Sequence, residues 1–413
     1  MLLAGGKGSR LNLIAAKRAK PAVPFAGLFR IIDFTLTNVM QSGIRHVGVM
    51  TQYRPTSLME HLGDGESWDL SGRASRLKVL PPHIGHGGSD WYKGTADAVF
   101  QNLRFLDNLQ PDHVLVLSGD HIYHMRYDEM LEQHVSTRAD LTMAALEVPW
   151  EDTSRFGVMV TAGQGEVTRF VEKSPERVSN LANMGVYLFR YSTLVDEVRR
   201  HCPEGRYDFG AHVIPDMLER RRVYAHRFQG YWRDVGTLDS YWAANMDALD
   251  SHSGLDLDRW RVRTNLEGRG QVFHPPVTID GEARVSNSLV SRGCRIQGTV
   301  KDSVLSPGVQ VMPGAVVQGS VVMHDCVIGE GARVQRAILD KDVVVGNRTR
   351  LCRPDVTDGA NVDFPSHLSG GITVVGKGTR FPAGRTIGAN VLVGTGLDEE
   401  AFPTDVPDGQ SVV

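Results

Sequence analysis

The chain has 413 residues, 41% of them hydrophobic and 23% charged, with a net charge of −3, which is ordinary for a globular protein and long enough for two domains. That balance gives no ground for a nucleic-acid or membrane partner, and no apolar run approaches the length of a membrane span. Basic charge is local instead: residues 1–46 hold seven cations, Lys7, Arg10, Lys17, Arg18, Lys20, Arg30 and Arg45, against one acid, Asp33, a focus that suits a small polyanion.

Four cysteines, Cys202, Cys294, Cys326 and Cys352, lie far apart with no CxxC pair, so neither zinc nor a disulfide framework is expected. A reducing cytoplasm is the default expectation, since the start lacks a secretory pattern. Only Met1, Leu2 and Leu3 precede the first loop. That is short for a central strand and is the pattern expected of a trimmed or misassigned start.

The first informative stretch is LLAGGKGSR, Leu2 to Arg10, followed by KRAKPAV, Lys17 to Val23. Gly5, Gly6 and Gly8 let backbone N–H groups converge on an anion without a Cβ in the way, and Lys7 and Arg10 add positive charge. The loop reads as a phosphate cradle. It is neither a Walker A loop nor a full dinucleotide fingerprint, and a plain strand-to-helix turn would look similar on its own. After it, Ile32, Leu36, Val39 and Met40 recur at helical spacing, Gly43 stands where a C-cap glycine would end the helix, and Ile44 to Met50 reads as a strand. Strand, glycine loop, helix, strand is a βαβ unit, which places ligands at the carboxyl ends of parallel strands.

Thr95 can N-cap a helix whose apolar face is Ala96, Val99, Leu103 and Leu106. The buried-strand run Val114 to Leu117 then ends in SGDHIY, placing Asp120 just past a central strand, though a turn aspartate would sit there too. Leu141–Val148, Val167–Val171 and Met184–Phe189 read as further strands, with Glu172 and Lys173 just beyond the second and Asn183 just before the third. YWRDVGT sets Asp234 between apolar residues and a glycine, and Leu238, Trp242, Met246 and Leu249 mark a helix closing this half. The expected division is a catalytic domain over 1–250, a linker over 251–281 with little periodicity, and a repeat domain over 282–413.

In that last part Val300, Val317, Val334 and Leu351 recur every 17 residues, as do Leu305, Val322 and Leu339, and Val311, Ile328 and Val345. Within a repeat, apolar residues lie five or six apart. This is the signature of a parallel β-helix of triangular section. Arg353 to Gly371 interrupts the period and is expected to be a loop or coil insertion.

Taken together, LAGGKGSRL, KRAKPAV, FRIIDF, SGIR, TQY, WYKGTADAV, GDHIY, FVEKS, NMGVYLF and YWRDVGT occur in the order found in the glucose-1-phosphate adenylyltransferase (ADP-glucose pyrophosphorylase) family of bacterial glycogen synthesis, which the chain resembles over nearly its full length. The resemblance implies an α/β fold, a Rossmann-like nucleotidyltransferase domain with a mostly parallel sheet followed by a C-terminal left-handed parallel β-helix. It also implies a homotetramer controlled by small phosphorylated-sugar or carboxylate effectors. The implied reaction joins ATP and glucose 1-phosphate into ADP-glucose and pyrophosphate.

Carried over residue by residue, Gly5, Gly6, Lys7, Gly8, Tyr92, Gly94 and Thr95 would face the nucleotide, and Arg10, Lys20 and Asp120 would be catalytic. Asp120 and Asp234 would hold Mg²⁺, a hard ion suited to carboxylate and phosphate oxygens. Gly157, Glu172, Lys173 and Asn183 would bind the sugar phosphate, and Lys17 and Arg18 an effector. One departure is FVEKSP where the family usually has EKP, which puts Ser174 next to Lys173. The attacking phosphate is already an anion, so the chemistry needs no general base.

Three other readings use the same residues. A sugar-1-phosphate nucleotidyltransferase using UTP, dTTP or GTP would share the glycine loop and both aspartates. A β-helix acyltransferase would need a base in the repeat region, whose periodic coils offer only His324. A non-catalytic assembly relative would be expected to lose Lys7, Arg10, Lys20, Asp120, Lys173 and Asp234, and all are present.

Overall fold

The computed structural model describes residues 1–6, 8–82, 91–266, 274–352 and 359–413. Eleven strands matter for the site. They are β1 (Leu2–Leu3), β2 (His46–Met50), β3 (Arg76–Leu80), β4 (His113–Ser118), β5 (His121–Tyr123), β6 (Leu141–Glu147), β7 (Gly157–Ala162), β8 (Glu166–Glu172), β9 (Leu181–Arg190), β10 (Val223–Arg227) and β11 (Trp232–Asp234).

Nine of these form one sheet in the order β3-β2-β1-β4-β9-β6-β10-β8-β7. The block β3-β2-β1-β4 is parallel throughout, so the carboxyl ends of β1, β2 and β4 lie together along one edge of the sheet. Beyond it the sheet is mixed rather than mostly parallel: β9 runs antiparallel to both β4 and β6, and β7 and β8 form a hairpin. Parallel pairing needs a long crossover, and the tight Gly163 and Gly165 turn, both at positive φ, leaves no room for one between β7 and β8.

The helix α1 (Ile31–Gln41) starts where Asp33 accepts the Arg30 backbone N–H at 2.8 Å and stops at Gly43, whose φ of +69° is the left-handed value expected of a terminating glycine. Ile32, Leu36 and Val39 on it are buried with Leu2, Val49 and Leu117. On the other side of the sheet, α2 (Thr95–Gln101) and α3 (Leu103–Asp107) replace the single helix expected over Thr95 to Leu106. The break falls at Asn102, whose side chain binds the Ala98 carbonyl and the Tyr92 hydroxyl.

From Thr278 onward, three parallel sheets of six, six and seven short strands stack into a left-handed β-helix. The 17-residue period is its register: Val300 pairs with Val317, Val317 with Val334, and Val334 with Leu351. Leu305, Val322 and Leu339 align in the same way, as do Val311, Ile328 and Val345. After the insertion the ladder resumes with Leu339 opposite Val375. Residues 353–358 of the insertion lie outside the described set. In the remainder Asn361 is fully buried and ties the Asn390 and Gln410 carbonyls together.

One face of the β-helix carries apolar doublets. Val322, Leu339, Val375 and Val393 point into the coil, while their neighbours Val321, Ile338, Val374 and Leu392 point outward into a second core with Leu11, Phe25, Phe34, Val235, Leu238 and Tyr241 of the N-terminal half. Alternation along a strand makes this possible, and two cores share one sheet. The stretch expected to be a linker adds to the seam. A short helix, α7 (Leu257–Trp260), buries Trp260 in it, and the Trp260 and Arg263 carbonyls accept from Gln41 and Trp68. The helix α6 (Leu238–Asp247) places Trp242 between the halves, with its indole N–H on the Gly319 carbonyl at 2.8 Å and Arg336 over its ring. Two further helices are α4 (Tyr127–Ser136) and α5 (Tyr191–His201), the second packed on β9. No helix among the described residues is long and apolar enough to cross a membrane.

Arg18 crosses the seam. Its guanidinium grips both carboxylate oxygens of Asp340 at 2.8 and 3.1 Å and reaches the Ile14 carbonyl at 3.0 Å, with Arg18 4% and Asp340 0% exposed. A buried pair contributes little net stability, but stranding one partner is costly. Asp340→Ala should therefore lower stability by about 3–5 kcal/mol, read as a fall in melting temperature, while replacing Arg18 and Asp340 together by Met and Leu should recover most of the loss. A single variant that melts like the unaltered chain would show that the pair carries no such load.

Candidate active site

Two aspartates far apart in sequence meet at the carboxyl edge of the parallel block. Asp120 lies two residues past the end of β4. The ribbon partner of β5 is β11, with Asp234 opposite His121 and Trp232 opposite Tyr123. This two-stranded pairing is what carries Asp234 across to Asp120.

Between the two carboxylates sits the Lys20 ammonium, 2.8 Å from Asp120 Oδ2 and 3.1 Å from Asp234 Oδ1. Ser118 Oγ donates a short hydrogen bond to Asp120 Oδ1. Burial alone would push the Asp120 carboxyl up, but the Lys20 charge overcomes it, helped by His121 and the Ser118 hydroxyl, and holds it well below the usual carboxylate range. Asp234 is lowered against the same opposing burial, again by Lys20 first. For Lys20 the signs reverse: burial would lower its pKa, and the two aspartates raise it. All three groups are therefore ionised together.

The glycine loop lies against this centre. Gly8 has φ +62°, and a Cβ there would come within 3.1 Å of the Lys20 Cβ. Gly5 packs on Gln52, where a Cβ would be 3.0 Å from Gln52 Cγ. Gly6 has open space on its Cβ side, so the loop presents backbone rather than side chains. Arg10 is exposed, and its guanidinium lies on the Asp234 side, 3.3 Å from where a Gly236 Cβ would stand. Lys7 lies outside the described residues.

Gln52 is a residue the sequence reading did not single out. It follows β2 at the same sheet edge, and its side-chain oxygen accepts the Tyr92 backbone N–H at 2.6 Å. Tyr92 turns its ring into the core, with the hydroxyl on the Leu80 carbonyl, so it can offer a ligand its backbone more readily than its phenol. Gly94 is held by close approach: a Cβ would lie 2.4 Å from the Tyr207 carbonyl oxygen. Thr95 opens α2 but does not cap it; its hydroxyl donates to Asp208 at 3.1 Å and accepts the Phe209 N–H at 3.0 Å.

That link leads to the other predicted group. Glu172 ends β8 opposite Gly157, and its Oε2 stands 2.4 Å from where a Gly157 Cβ would be and 2.6 Å from a Gly210 Cβ. The two glycines form a slot for this carboxylate. Gly210 belongs to a single π-turn, Phe209–Val213, capped by Asp208 on the Ala211 N–H, a local widening of the helix often found at functional sites. Burial raises the Glu172 pKa, with Lys173 pulling the other way. Lys173 has φ +46° and its side chain is 64% exposed, with Nζ 3.3 Å from Glu172 Oε1. Ser174 is absorbed in the turn, its hydroxyl accepting the Glu176 N–H at 3.1 Å. Asn183 lies inside β9 rather than before it, donating to the Tyr187 hydroxyl and accepting the Gly185 N–H.

The two groups flank a wall of His121, Phe156 and Trp232. The His121 and Trp232 rings meet edge to face at 5.2 Å, and Trp232 meets Phe156 at 5.3 Å. The Trp232 indole N–H is buried with no hydrogen-bond partner among the described residues, a donor that a ligand oxygen could satisfy. The allosteric candidates separate: Arg18 is engaged with Asp340, as described, while Lys17 is exposed.

Two ionised carboxylates that converge on one point are a donor set suited to a hard divalent cation, which would share them with the Lys20 ammonium. Nucleotidyl transferases as a class work with such ions.

Comparison with known proteins agrees with this architecture. A family model described as nucleotidyl transferase matches residues 1–251, and one described as GlmU-like, C-terminal hexapeptide matches 277–375. The chain is similar to the glucose-1-phosphate adenylyltransferase of Geobacillus stearothermophilus, 50% identical over 323 residues covering 77% of this chain and 82% of the relative. The enzyme of that name from Thermotoga neapolitana is 44% identical over 412 residues, 98% of this chain and 95% of the relative. That from Acetivibrio thermocellus is 40% identical over 424 aligned residues, 100% of this chain and 97% of the relative.

Proposed function

The chain belongs to the glucose-1-phosphate adenylyltransferase family of nucleotidyl transferases, and from that premise we propose that it transfers the adenylyl group of ATP to glucose 1-phosphate, releasing pyrophosphate. The observation that carries this reading is the Lys20 ammonium shared by Asp120 and Asp234 at the edge of β1 and β4, beside a glycine loop. A sugar-phosphate oxygen must approach the α-phosphorus in line, so two polyanions are brought together and cations have to offset their repulsion.

In this reading the backbone of Gly5, Gly6 and Gly8, with Lys7 and Arg10, receives the triphosphate. Lys20 offsets charge developing at the α-phosphate. Tyr92, Gly94 and Thr95 border the nucleotide, with Gln52 bracing the Tyr92 backbone. Asp120 and Asp234 hold Mg²⁺, which when bound polarises phosphate oxygens. Glu172, seated between Gly157 and Gly210, hydrogen-bonds sugar hydroxyls, Lys173 pairs with the sugar phosphate, and Asn183 positions the Gly185 turn beside them. A catalytic unit over 1–250 and a connector, shorter than the expected 251–281 because the first coil strand is already Thr278–Ile279, lead into a β-helix that serves assembly, as a homotetramer, and regulation. The cytoplasm is the proposed compartment.

The direct test offers glucose 1-phosphate, Mg²⁺ and each of ATP, UTP, dTTP and GTP to the purified chain and scores pyrophosphate. ATP should be used well ahead of the rest, and preference for another triphosphate would replace the adenylyl assignment. With ATP, Asp234→Asn should reduce kcat by on the order of 10² to 10⁴ without unfolding the chain.

Lys173→Ala removes a charged hydrogen-bonding group worth about 1.5–3 kcal/mol, so KM for glucose 1-phosphate should rise roughly ten- to a hundredfold while KM for ATP stays put. Equal movement of both constants would mean that the turn holding Ser174 keeps this lysine off the sugar phosphate.

We assign the effector response to the Lys17–Arg18 segment, with Lys17 as the exposed contact and Arg18 as its link to the β-helix. Lys17→Ala should weaken activation by fructose 1,6-bisphosphate, fructose 6-phosphate or pyruvate, whichever activates, by about 5- to 150-fold in half-maximal concentration, and should spare unactivated turnover. It is the cleaner variant, since Arg18 also holds Asp340. An unchanged activation curve would leave Lys17 as a solvated surface charge.

A further inference from the structure

His121 faces the same centre as the two aspartates, and nothing in the proposed reaction uses it. Its ring is fixed on both sides. Nδ1 lies 3.0 Å from the Met184 carbonyl oxygen, which can only accept, so Nδ1 carries the hydrogen. In the neutral ring Nε2 then has a lone pair. That atom points at Asp120 Oδ1, 3.4 Å away, and Asp234 Oδ1, 3.8 Å away.

The backbone is built to keep this aim. The pairing of His121 with Asp234 across β5 and β11 fixes their separation, the Trp232 ring backs the imidazole, and the positive φ of Gly185 brings the chain close enough that a Cβ would meet His121 Cε1 at 3.6 Å. A ring N–H given to a backbone carbonyl, with the other nitrogen turned to carboxylates, is the usual support of a metal-ligating histidine. The three donor atoms lie within 4.8 Å of one another. The 3.4 and 3.8 Å separations are also shorter than the roughly 4.2 Å that two bonds of about 2.1 Å to one ion can span.

We infer that His121 is a third protein ligand of the divalent cation held by Asp120 and Asp234, and that its nitrogen shifts the site's preference from Mg²⁺ toward Mn²⁺. The inference rests on the metal reading of the carboxylate pair given above. Carboxylate-only sites suit Mg²⁺, and an imidazole raises affinity for later first-row ions relative to it.

The test is Mn²⁺ titration of the full chain, following loss of the free-ion electron paramagnetic resonance signal, with Mg²⁺ competition, for the unaltered protein and for His121→Gln, Asp120→Asn and Asp234→Asn. Each variant is checked for native fold by circular dichroism. Pulsed resonance on bound Mn²⁺ should show nitrogen modulation in the unaltered chain and none in His121→Gln. That variant should also bind Mn²⁺ about tenfold or more weakly, with a smaller loss for Mg²⁺. Unchanged affinity with no nitrogen modulation would overturn the role of His121 while leaving the aspartates as ligands. Tighter binding in His121→Gln would overturn it differently, by showing that the ring acts as a competing cation. Mn²⁺ binding that is absent from the unaltered chain, or indifferent to all three substitutions, would sink the metal site itself. The substrate assignment is read separately from pyrophosphate release.

Discussion

The site depends on a charge problem solved by one ammonium. Asp120 and Asp234 are brought close by strand pairing, and two carboxylates in a half-buried pocket repel each other unless a positive charge stands between them. Lys20 supplies it from a segment 100 residues from one and 214 from the other. Its own burial would favour loss of the proton, so each partner keeps the others ionised. Gly8 is shaped to the same lysine, which is why a small residue at left-handed φ is needed there.

The backbone around Lys20 also explains how one short stretch serves two places. Ala19 is extended, with φ −65° and ψ +146°, so the side chains on either side of it diverge. Lys20 turns to the aspartates and Arg18 to Asp340 on the β-helix. Pro21 stiffens the turn that follows. The carboxylate centre and the seam between the halves are thus separated by a single residue of chain with little conformational freedom.

Much of this was legible in the residues. The 17-residue period became the coil register because each repeat meets only its neighbours, so local spacing dictates pairing. Gly43 ended α1, and Asp120 lay past β4, because punctuation and strand ends are local signals too. Other features depend on partners remote in sequence. Arg18 looked like one more cation in a basic loop, and its partner lies 322 residues away. Tyr92 matched a nucleotide motif, yet its phenol is drawn inward by Leu80 and Asn102. Gly210 and Asp208 carry no periodic signal, since a π-turn is defined by tertiary demand. The doublets Val321-Val322, Ile338-Leu339, Val374-Val375 and Leu392-Val393 were visible as sequence. Apolar doublets such as Val327-Ile328 and Val344-Val345 also occur on another face of the coil, so a face with two cores shows only in the burial of both residues of each pair. The stretch after residue 250 had no periodicity because its anchoring is a few point contacts, Trp260 above all.

The shared seam bears on the order in which the molecule can assemble. Pairings in the β-helix join residues a single turn apart, so closing each coil fixes a short loop and costs little chain entropy. The central strand β1 must instead find Leu117 and Ser118, a long closure of the kind that slows folding. Yet the outer face of the coils, Val321, Ile338, Val374 and Leu392, is hydrophobic and is completed, among the described residues, by Phe34, Leu238 and their neighbours. A β-helix that finishes first therefore presents a sticky sheet to a partner still searching for its centre, and the slower half becomes the lid on the faster one. Until that lid is on, the exposed face is an aggregation hazard.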